Sequence, residues 1–149
     1  MYERILVPTD GSEQAIAAID EGIELAQLTG ATIHALYVVE PIPLGRFPAG
    51  AEAASTEWGD VVDEQKGEGK RAVETIAERA DDAGVDVVEA IEHGKPSAEI
   101  LEYVDDQDVD VIVMGTHGRT GAGRLMLGSV AEKVVRQSAV PVLTVRMTD

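Results

Sequence analysis

The sequence predicts an α/β protein whose doubly wound parallel sheet is covered by helices on both faces. Three observations predict it. Short apolar runs alternate with helical periodicity, the runs end at turn residues, and the run Val109–Met114 is apolar apart from Asp110. Such a run is typical of a central strand buried on both faces, and alternating strands and helices favour parallel pairing. At 149 residues we expect one domain over residues 1–149.

The first unit is predicted to be a strand, a loop and a helix. Ile5–Val7 is an apolar run that ends at the turn residues of Pro8–Ser12, and four apolar residues follow at helical spacing over Ile16–Ala26. Gly30 suits the end of this helix. The strand formers of Ala31–Val39 then predict a second strand.

The rest of the chain repeats this alternation. A long loop is expected at Glu40–Glu57, as a lid, an interface or a mobile segment. A helix is expected at Trp58–Ala83, a strand at Val85–Ile91 and a short helix at Pro96–Val104. The last strand is Val140–Val145, and the proline at its second position predicts that it lies at the rim of the sheet.

Charge and composition exclude several functions. The chain has 28 acidic and 12 basic residues, a net charge of −16, which opposes general binding to nucleic acid or anionic membranes. It has no cysteine, so thiolate metal sites are excluded. With neither a membrane-length apolar run nor a signal-peptide layout, it is expected in the cytoplasm. Such acidity suits a halophilic source, although an ordinary acidic protein is the alternative.

One window of the sequence lacks acidic residues altogether. Val111–Ala131 spans 21 residues without a carboxylate, and it contains five glycines and two arginines before a helix start. Glycines let backbone N–H groups converge, and a helix N-terminus adds free donors and a favourable dipole. The window therefore favours phosphate binding. The alternative is that a buried strand, a turn and a helix start need no acids, with the glycines serving turn geometry.

Individual residues of the window have structural alternatives as well. Ser129 and Glu132 have the spacing of a capping box, which needs no ligand, although a capping hydroxyl can also bond a phosphate oxygen. Arg119 and Arg124 either contact phosphate or remain solvated surface side chains.

Two familiar nucleotide motifs are absent. The residue after Gly128 is Ser129 and the nearest lysine is Lys133, so the window is not a Walker-type P-loop. The first strand-to-helix turn, Pro8–Ser12, lacks the glycines of a dinucleotide fingerprint.

The residues resemble a known family instead. The spacing Gly115-x2-Gly118-x9-Gly128-Ser129 resembles the nucleotide-binding signature of ATP-binding universal stress proteins. Ile5–Ser12, Gly115–Gly121 and Val140–Val145 are also similar to family segments, in the expected order. The resemblance covers essentially the whole chain, and it implies a Rossmann-like, three-layer α/β/α fold with five parallel strands in the order 3-2-1-4-5.

The resemblance also implies a site at the ends of the first and fourth strands, where the winding direction reverses. Asp10 would lie near the ribose or adenine of ATP. The same residue could instead cap the helix that follows. The other residues implied are, against the base, Pro8, Thr9 and Val38; at the sheet edge, Met114 and Gly115; and around the phosphates, Gly118, Gly128, Ser129 and Val130.

Three functions remain open. The first is an ATP-binding regulatory module in stress response. The second is a slow ATP hydrolase with Mg²⁺ or Mn²⁺, for which Asp10 is the nearby metal ligand and His117 and Arg119 are the plausible additions. The third is a nucleotide-independent interaction module. Family resemblance implies a homodimer, for which Val142–Val145 would form the interface. The remaining histidines, His34 and His93, are expected to be structural.

Overall fold

Strands and helices alternate along the chain in the computed structural model, which describes residues 2–40, 54–116 and 128–146. The strands are β1 (Arg4–Thr9), β2 (Thr32–Val39), β3 (Val87–His93), β4 (Val111–Gly115) and β5 (Val142–Val145). The helices are α1 (Gln14–Thr29), α2 (Ala54–Asp82), α3 (Pro96–Asp106) and α4 (Ser129–Gln137). Of the loop predicted at Glu40–Glu57, residues 41–53 lie outside the described residues, and the prediction is wrong for residues 54–57, which form the start of α2.

The five strands form one parallel sheet in the order β3-β2-β1-β4-β5. This confirms the doubly wound fold and the strand order that the family resemblance implied. β5 lies at the rim, as its proline predicted. Pro141 precedes the strand, and its carbonyl accepts a hydrogen bond from the N–H of Ile112 at 3.0 Å. The proline therefore joins the sheet as an acceptor, for which its missing N–H is no handicap.

The core lies in two layers because successive side chains of a strand point to opposite faces. On one face, Ile5, Val7 and Val113 pack against α1 and α2. On the other, Leu6 and Ile112 pack against α3 and α4. Burying such a side chain contributes about 1.5–3 kcal/mol relative to leaving it exposed.

Two strands begin later than their apolar runs predicted, and the same cause applies to both. The N–H of Val85 bonds the carbonyl of Ala80 at 2.8 Å, and that of Val109 bonds Val104 at 3.1 Å. These bonds reach back five residues, a pattern that closes helices through a left-handed residue. The residues before them, Gly84 and Asp108, have positive φ angles of 72° and 52°. Val85 and Val109 are therefore apolar members of helix ends, and β3 and β4 start two residues further on.

Candidate functional site

The site predicted from the sequence falls where β1 and β4 lie side by side and the winding of the sheet reverses. The ladder between these strands pairs Ile5 with Val111 and Leu6 with Ile112. The β1–β2 ladder, by contrast, continues as far as Thr9. Over the carboxyl halves of β1 and β4 the ladder is absent, and Pro8 has no N–H to extend it. The two strands are therefore not paired at the switch point, the usual place for a ligand in such sheets, and we call the space between their carboxyl ends the cleft.

One side of this cleft is apolar. The strand residues two positions before Pro8, Val38 and Met114 belong to the layer that faces α3 and α4. Because side chains alternate between the two faces along a strand, these three residues share that face. Met114 is buried, and Val38 and Val130 pack against the cluster that contains it. The structure thereby brings together predicted base and phosphate residues from β2, β4 and α4. Gly115, at the end of β4, is half-buried at the same edge.

The loop after β1 is shaped by its own side chains. The Asp10 carboxylate accepts a hydrogen bond from the N–H of Ser12 at 2.9 Å, and the Thr9 hydroxyl accepts one from the N–H of Gly11 at 3.0 Å. Such bonds mimic a backbone turn. The N-cap of α1 is Glu13, three residues after Asp10. The alternative role of Asp10 as the helix cap is therefore wrong, because its carboxylate is engaged in the turn that precedes the helix.

The opposite side of the cleft is the N-terminus of α4. The N–H of Gly128 bonds the carbonyl of Thr116 at 2.7 Å, and the N–H of Thr116 bonds the carbonyl of Val145 at 3.1 Å. These bonds hold Gly128 next to the end of β4. The first turn of α4, with its free N–H groups, consequently begins beside the cleft.

The predicted capping box at this helix is wrong. The N-cap is Gly128, in an extended conformation, and Ser129 is the first helical residue, so its side chain makes no capping hydrogen bond. The Glu132 carboxylate instead accepts a hydrogen bond from the Arg136 guanidinium one turn later. The box fails because the helix begins one residue earlier than the Ser129–Glu132 spacing requires. Ser129 is exposed at the end that faces the cleft.

The predicted residues thus divide into two groups. Nine of them lie at the carboxyl ends of the strands or at the start of α4: Pro8, Thr9, Asp10, Val38, Met114, Gly115, Gly128, Ser129 and Val130. The other three, His117, Gly118 and Arg119, lie outside the described residues. Within the described ranges, no group of three or more histidine, aspartate or glutamate side chains could hold a metal ion.

Two neighbours of the site were not predicted. The Ser12 hydroxyl oxygen is enclosed without a hydrogen-bond partner, at the turn that Asp10 forms. Glu92 of β3 pairs in register with Val38 and belongs to the same face. The Asp-Gly-Ser sequence of the turn was a signal that could have placed Ser12 beside the site. No local signal existed for Glu92, because the register of β2 against β3 depends on residues more than 50 positions apart.

The fold and cleft define a doubly wound α/β protein with a candidate ligand site at its topological switch point. Residues 1–146 match the model of the universal stress protein family, and the chain belongs to that family. It is 36% identical over 146 residues to Universal stress protein MJ0531 of Methanocaldococcus jannaschii, covering 98% of this chain and 83% of that protein. None of the described helices is long and apolar enough to cross a bilayer.

Solved structures have the same fold. The structure of protein MJ0577 from M. jannaschii superposes with a TM-score of 0.82 at 31% identity, covering 100% of this chain and 99% of that one. A universal stress protein in complex with cAMP gives 0.69 at 24% identity, covering 99% and 98% of the two chains. One from Archaeoglobus fulgidus in complex with dAMP gives 0.68 at 23%, covering 96% and 97%. At these identities the last two likenesses concern the fold alone.

Proposed function

We propose that this protein is a cytoplasmic regulatory module of stress response that binds ATP in the cleft between β1 and β4. The observation that carries the proposal is the convergence at one sheet edge of the apolar face of Pro8, Val38 and Met114 with the N-terminus of α4. An adenine nucleotide needs both, a dry surface for the base and backbone donors for the phosphates. Two proteins of this fold hold adenine nucleotides, cAMP and dAMP.

In this proposal the loop after β1 orients Asp10 toward the ribose. The turn bond from Ser12 holds the carboxylate in place, and a preorganised acceptor loses less entropy when a ribose hydroxyl donates to it. Gly128, Ser129 and Val130 would present the N–H groups of α4 to the phosphates, with His117, Gly118 and Arg119 from the preceding segment. ATP would bind with Mg²⁺ or Mn²⁺, for which its own phosphate oxygens supply ligands.

Regulation rather than turnover is the better match to these residues. Hydrolysis needs a positioned metal and a positioned water, and the window Val111–Ala131 supplies no carboxylate to hold the metal, which leaves Asp10 as the candidate ligand. A slow hydrolase remains the alternative. ATP consumption that disappears in Asp10→Ala, and persists in the distant control Asp20→Ala, would favour it.

A second candidate, a dimeric interaction module, is favoured by the rim of the sheet. β5 has a neighbouring strand on one side, β4. Leu143 of β5 and Val135 of α4 are 42% and 45% exposed. An edge strand flanked by exposed apolar side chains can pair with a second copy across a two-fold axis. We propose that Val142–Val145 forms this homodimer interface. Light scattering that gives a monomer at micromolar concentration, with and without ATP, would refute it.

The first experiment is to denature the purified protein and identify any released small molecule by mass spectrometry, alongside calorimetric titration with ATP and magnesium. We expect an adenine nucleotide in the wild type and its loss in Gly118→Val. The matched control is Gly67→Val, because a Cβ at Gly67 meets nothing closer than the Arg71 guanidinium at 3.5 Å. If the wild type neither carries nor binds adenine nucleotide, the nucleotide module is wrong and the interaction module takes its place.

A matched pair of substitutions tests the role of Asp10. Asparagine keeps an oxygen that can accept the bond from Ser12 but removes the charge, whereas alanine removes both. We expect Asp10→Asn to retain wild-type stability and to bind ATP about tenfold more weakly, the loss of one charged hydrogen bond. An unchanged affinity of Asp10→Asn for ATP would mean that Asp10 stabilises the turn and does not contact the nucleotide.

A further inference from the structure

A second concave surface lies at the opposite end of the sheet from the cleft. It is a recess of about 460 Å³ lined by Glu3, Arg4, Thr32, His34 and Val88. These residues lie at or before the amino-terminal halves of β1, β2 and β3. His34 and Val38 are four residues apart on β2, which corresponds to about 13 Å along a strand. The recess is therefore separate from the proposed nucleotide site.

Most of the lining residues share one face of the sheet. Arg4 pairs in register with Thr32, and His34 pairs with Val88. Thr32 and His34 are two positions apart on β2, so their side chains point the same way. The recess consequently has a cationic group, a hydroxyl and an imidazole side by side, next to a valine that is 43% exposed.

The backbone on one side of the recess is held in place by both neighbouring strands. The Asp110 carboxylate accepts hydrogen bonds from the N–H groups of Glu3 and Arg4 at 2.8 and 2.9 Å. The carbonyl of Glu3 accepts one from Thr32, and that of Arg4 accepts one from Asp110, both at 2.9 Å. The backbone of Glu3 and Arg4 is therefore ordered before a ligand binds, which reduces the entropic cost of binding.

His34 provides the observation that points to a ligand. Its side chain is buried, with 6% of the residue exposed, and its Nδ1 lies 2.7 Å from the Tyr103 hydroxyl. No residue of the described ranges bonds the other ring nitrogen, Nε2, yet Nε2 is not among the enclosed polar atoms. Because His34 lines the recess, we infer that Nε2 faces it.

The imidazole of His34 carries a single N–H. Burial, and then the Arg4 charge, lower the pKa of His34, so the imidazole is neutral at pH 7. A neutral imidazole has one N–H and one acceptor nitrogen. We assign the acceptor role to Nδ1, which accepts a hydrogen bond from the Tyr103 hydroxyl, and the N–H to Nε2. The recess then offers three donors, from Arg4, Thr32 and His34, which is the set that a carboxylate accepts.

The remaining residues narrow the class of ligand. Glu3 would repel a simple anion, as would the net charge of −16. A molecule that carries both charges avoids this repulsion because its net charge is zero. Val88 adds an apolar surface for a small aliphatic group.

We propose that the recess binds a small aliphatic amino acid as its zwitterion. The ligand carboxylate meets Arg4, Thr32 and Nε2 of His34. The ligand ammonium meets the Glu3 carboxylate, and the aliphatic side chain lies on Val88.

The test is an NMR titration of the His34 ring Cε1–Hε1 resonance with L-leucine as the probe. The chain has three histidines, so the His34→Gln spectrum assigns the resonance. 4-Methylpentanoate, which lacks the ammonium, and 3-methylbutylamine, which lacks the carboxylate, serve as analogues. We expect L-leucine to shift the His34 resonance saturably, with both analogues at least about tenfold weaker. No shift with L-leucine up to roughly 10 mM, or equal binding of 4-methylpentanoate, would overturn the proposal.

Substitutions of residues that line the recess test whether L-leucine binds there. Arg4→Gln and Glu3→Gln replace exposed side chains. Each should weaken the binding of L-leucine by about tenfold or more. The matched controls are Arg71→Gln on α2 and Glu89→Gln on β3. Glu89 pairs with Ala35, which belongs to the opposite face of the sheet. Equal weakening by a substitution and its control would refute the site. ATP affinity should be the same in Arg4→Gln and wild type, which separates this test from that of the nucleotide cleft.

Discussion

The Tyr103 hydroxyl lies 2.7 Å from Nδ1 of His34, and the two rings meet edge to face with centroids 5.6 Å apart. This contact joins α3 to β2 inside the layer that also contains Leu36 and Ile112. It is a polar contact between two buried side chains. Each would leave an unsatisfied group in the core if the other were removed.

Replacing Tyr103 with phenylalanine should therefore destabilise the protein. The substitution keeps the ring but leaves Nδ1 of His34 buried without a partner, which costs about 1–3 kcal/mol. Urea unfolding followed by circular dichroism measures the free energy of unfolding. The control is Tyr2→Phe, a half-buried tyrosine near the N-terminus. Equal losses in the two variants would show that the His34 contact contributes little.

The contribution of His34 to the stability of the protein should decrease as the pH falls. Burial, and then the Arg4 charge, lower the pKa of His34 below its ordinary value of 6.5. The unfolded chain then binds a proton more readily than the folded protein, so acid favours unfolding as the pH falls below about 6.5. We expect the destabilisation caused by His34→Gln to be smaller at pH 5.5 than at pH 7.5, where unfolding titrations would compare the variant with wild type. A larger effect at pH 5.5 would mean that the folded protein stabilises the charged imidazole.

Two glycines of α2 should respond in opposite ways to alanine. A Cβ at Gly69 would lie 2.5 Å from Cδ1 of the Tyr37 ring, whereas one at Gly67 would meet only ordinary contact at 3.5 Å. Gly67→Ala should stabilise the helix by up to about 1 kcal/mol. Gly69→Ala should destabilise the protein by about 1–3 kcal/mol, because α2 must move away from β2. Thermal unfolding of the two variants tests the close approach, and a stabilised Gly69→Ala would contradict it.

Salt should stabilise the protein if its acidity reflects a halophilic source. A net charge of −16 on 149 residues is self-repulsive in dilute buffer, and raising the ionic strength shortens the Debye length from about 10 Å at 0.1 M to about 3 Å at 1 M. We expect the urea midpoint to rise over this range of potassium chloride. Undiminished stability in dilute buffer would count against the halophilic hypothesis.

The local pattern of the sequence determined the alternation of elements, the buried central strand and the strand at the rim. These features are encoded within ten to twenty neighbouring residues, as at Val111–Met114, where one apolar run specifies burial on both faces. The glycine window and the Pro8–Ser12 turn also predicted a ligand site at the carboxyl ends of β1 and β4, which stays a prediction. The strand order came from family resemblance, since no local pattern states which strands are neighbours.

Only the tertiary structure decided the contacts between distant residues and the choice among competing local ones. His34 and Tyr103 are 69 positions apart, and their pairing depends on how α3 packs across β2. At α4, the chain arrives extended at Gly128 through its bond to Thr116, so the helix starts there and the Ser129–Glu132 box does not form. At Asp10, the turn bond to Ser12 took precedence over a helix cap. At His34 and at α4, contacts between residues that are distant in the sequence select the arrangement, whereas at Asp10 the choice lies between two local ones.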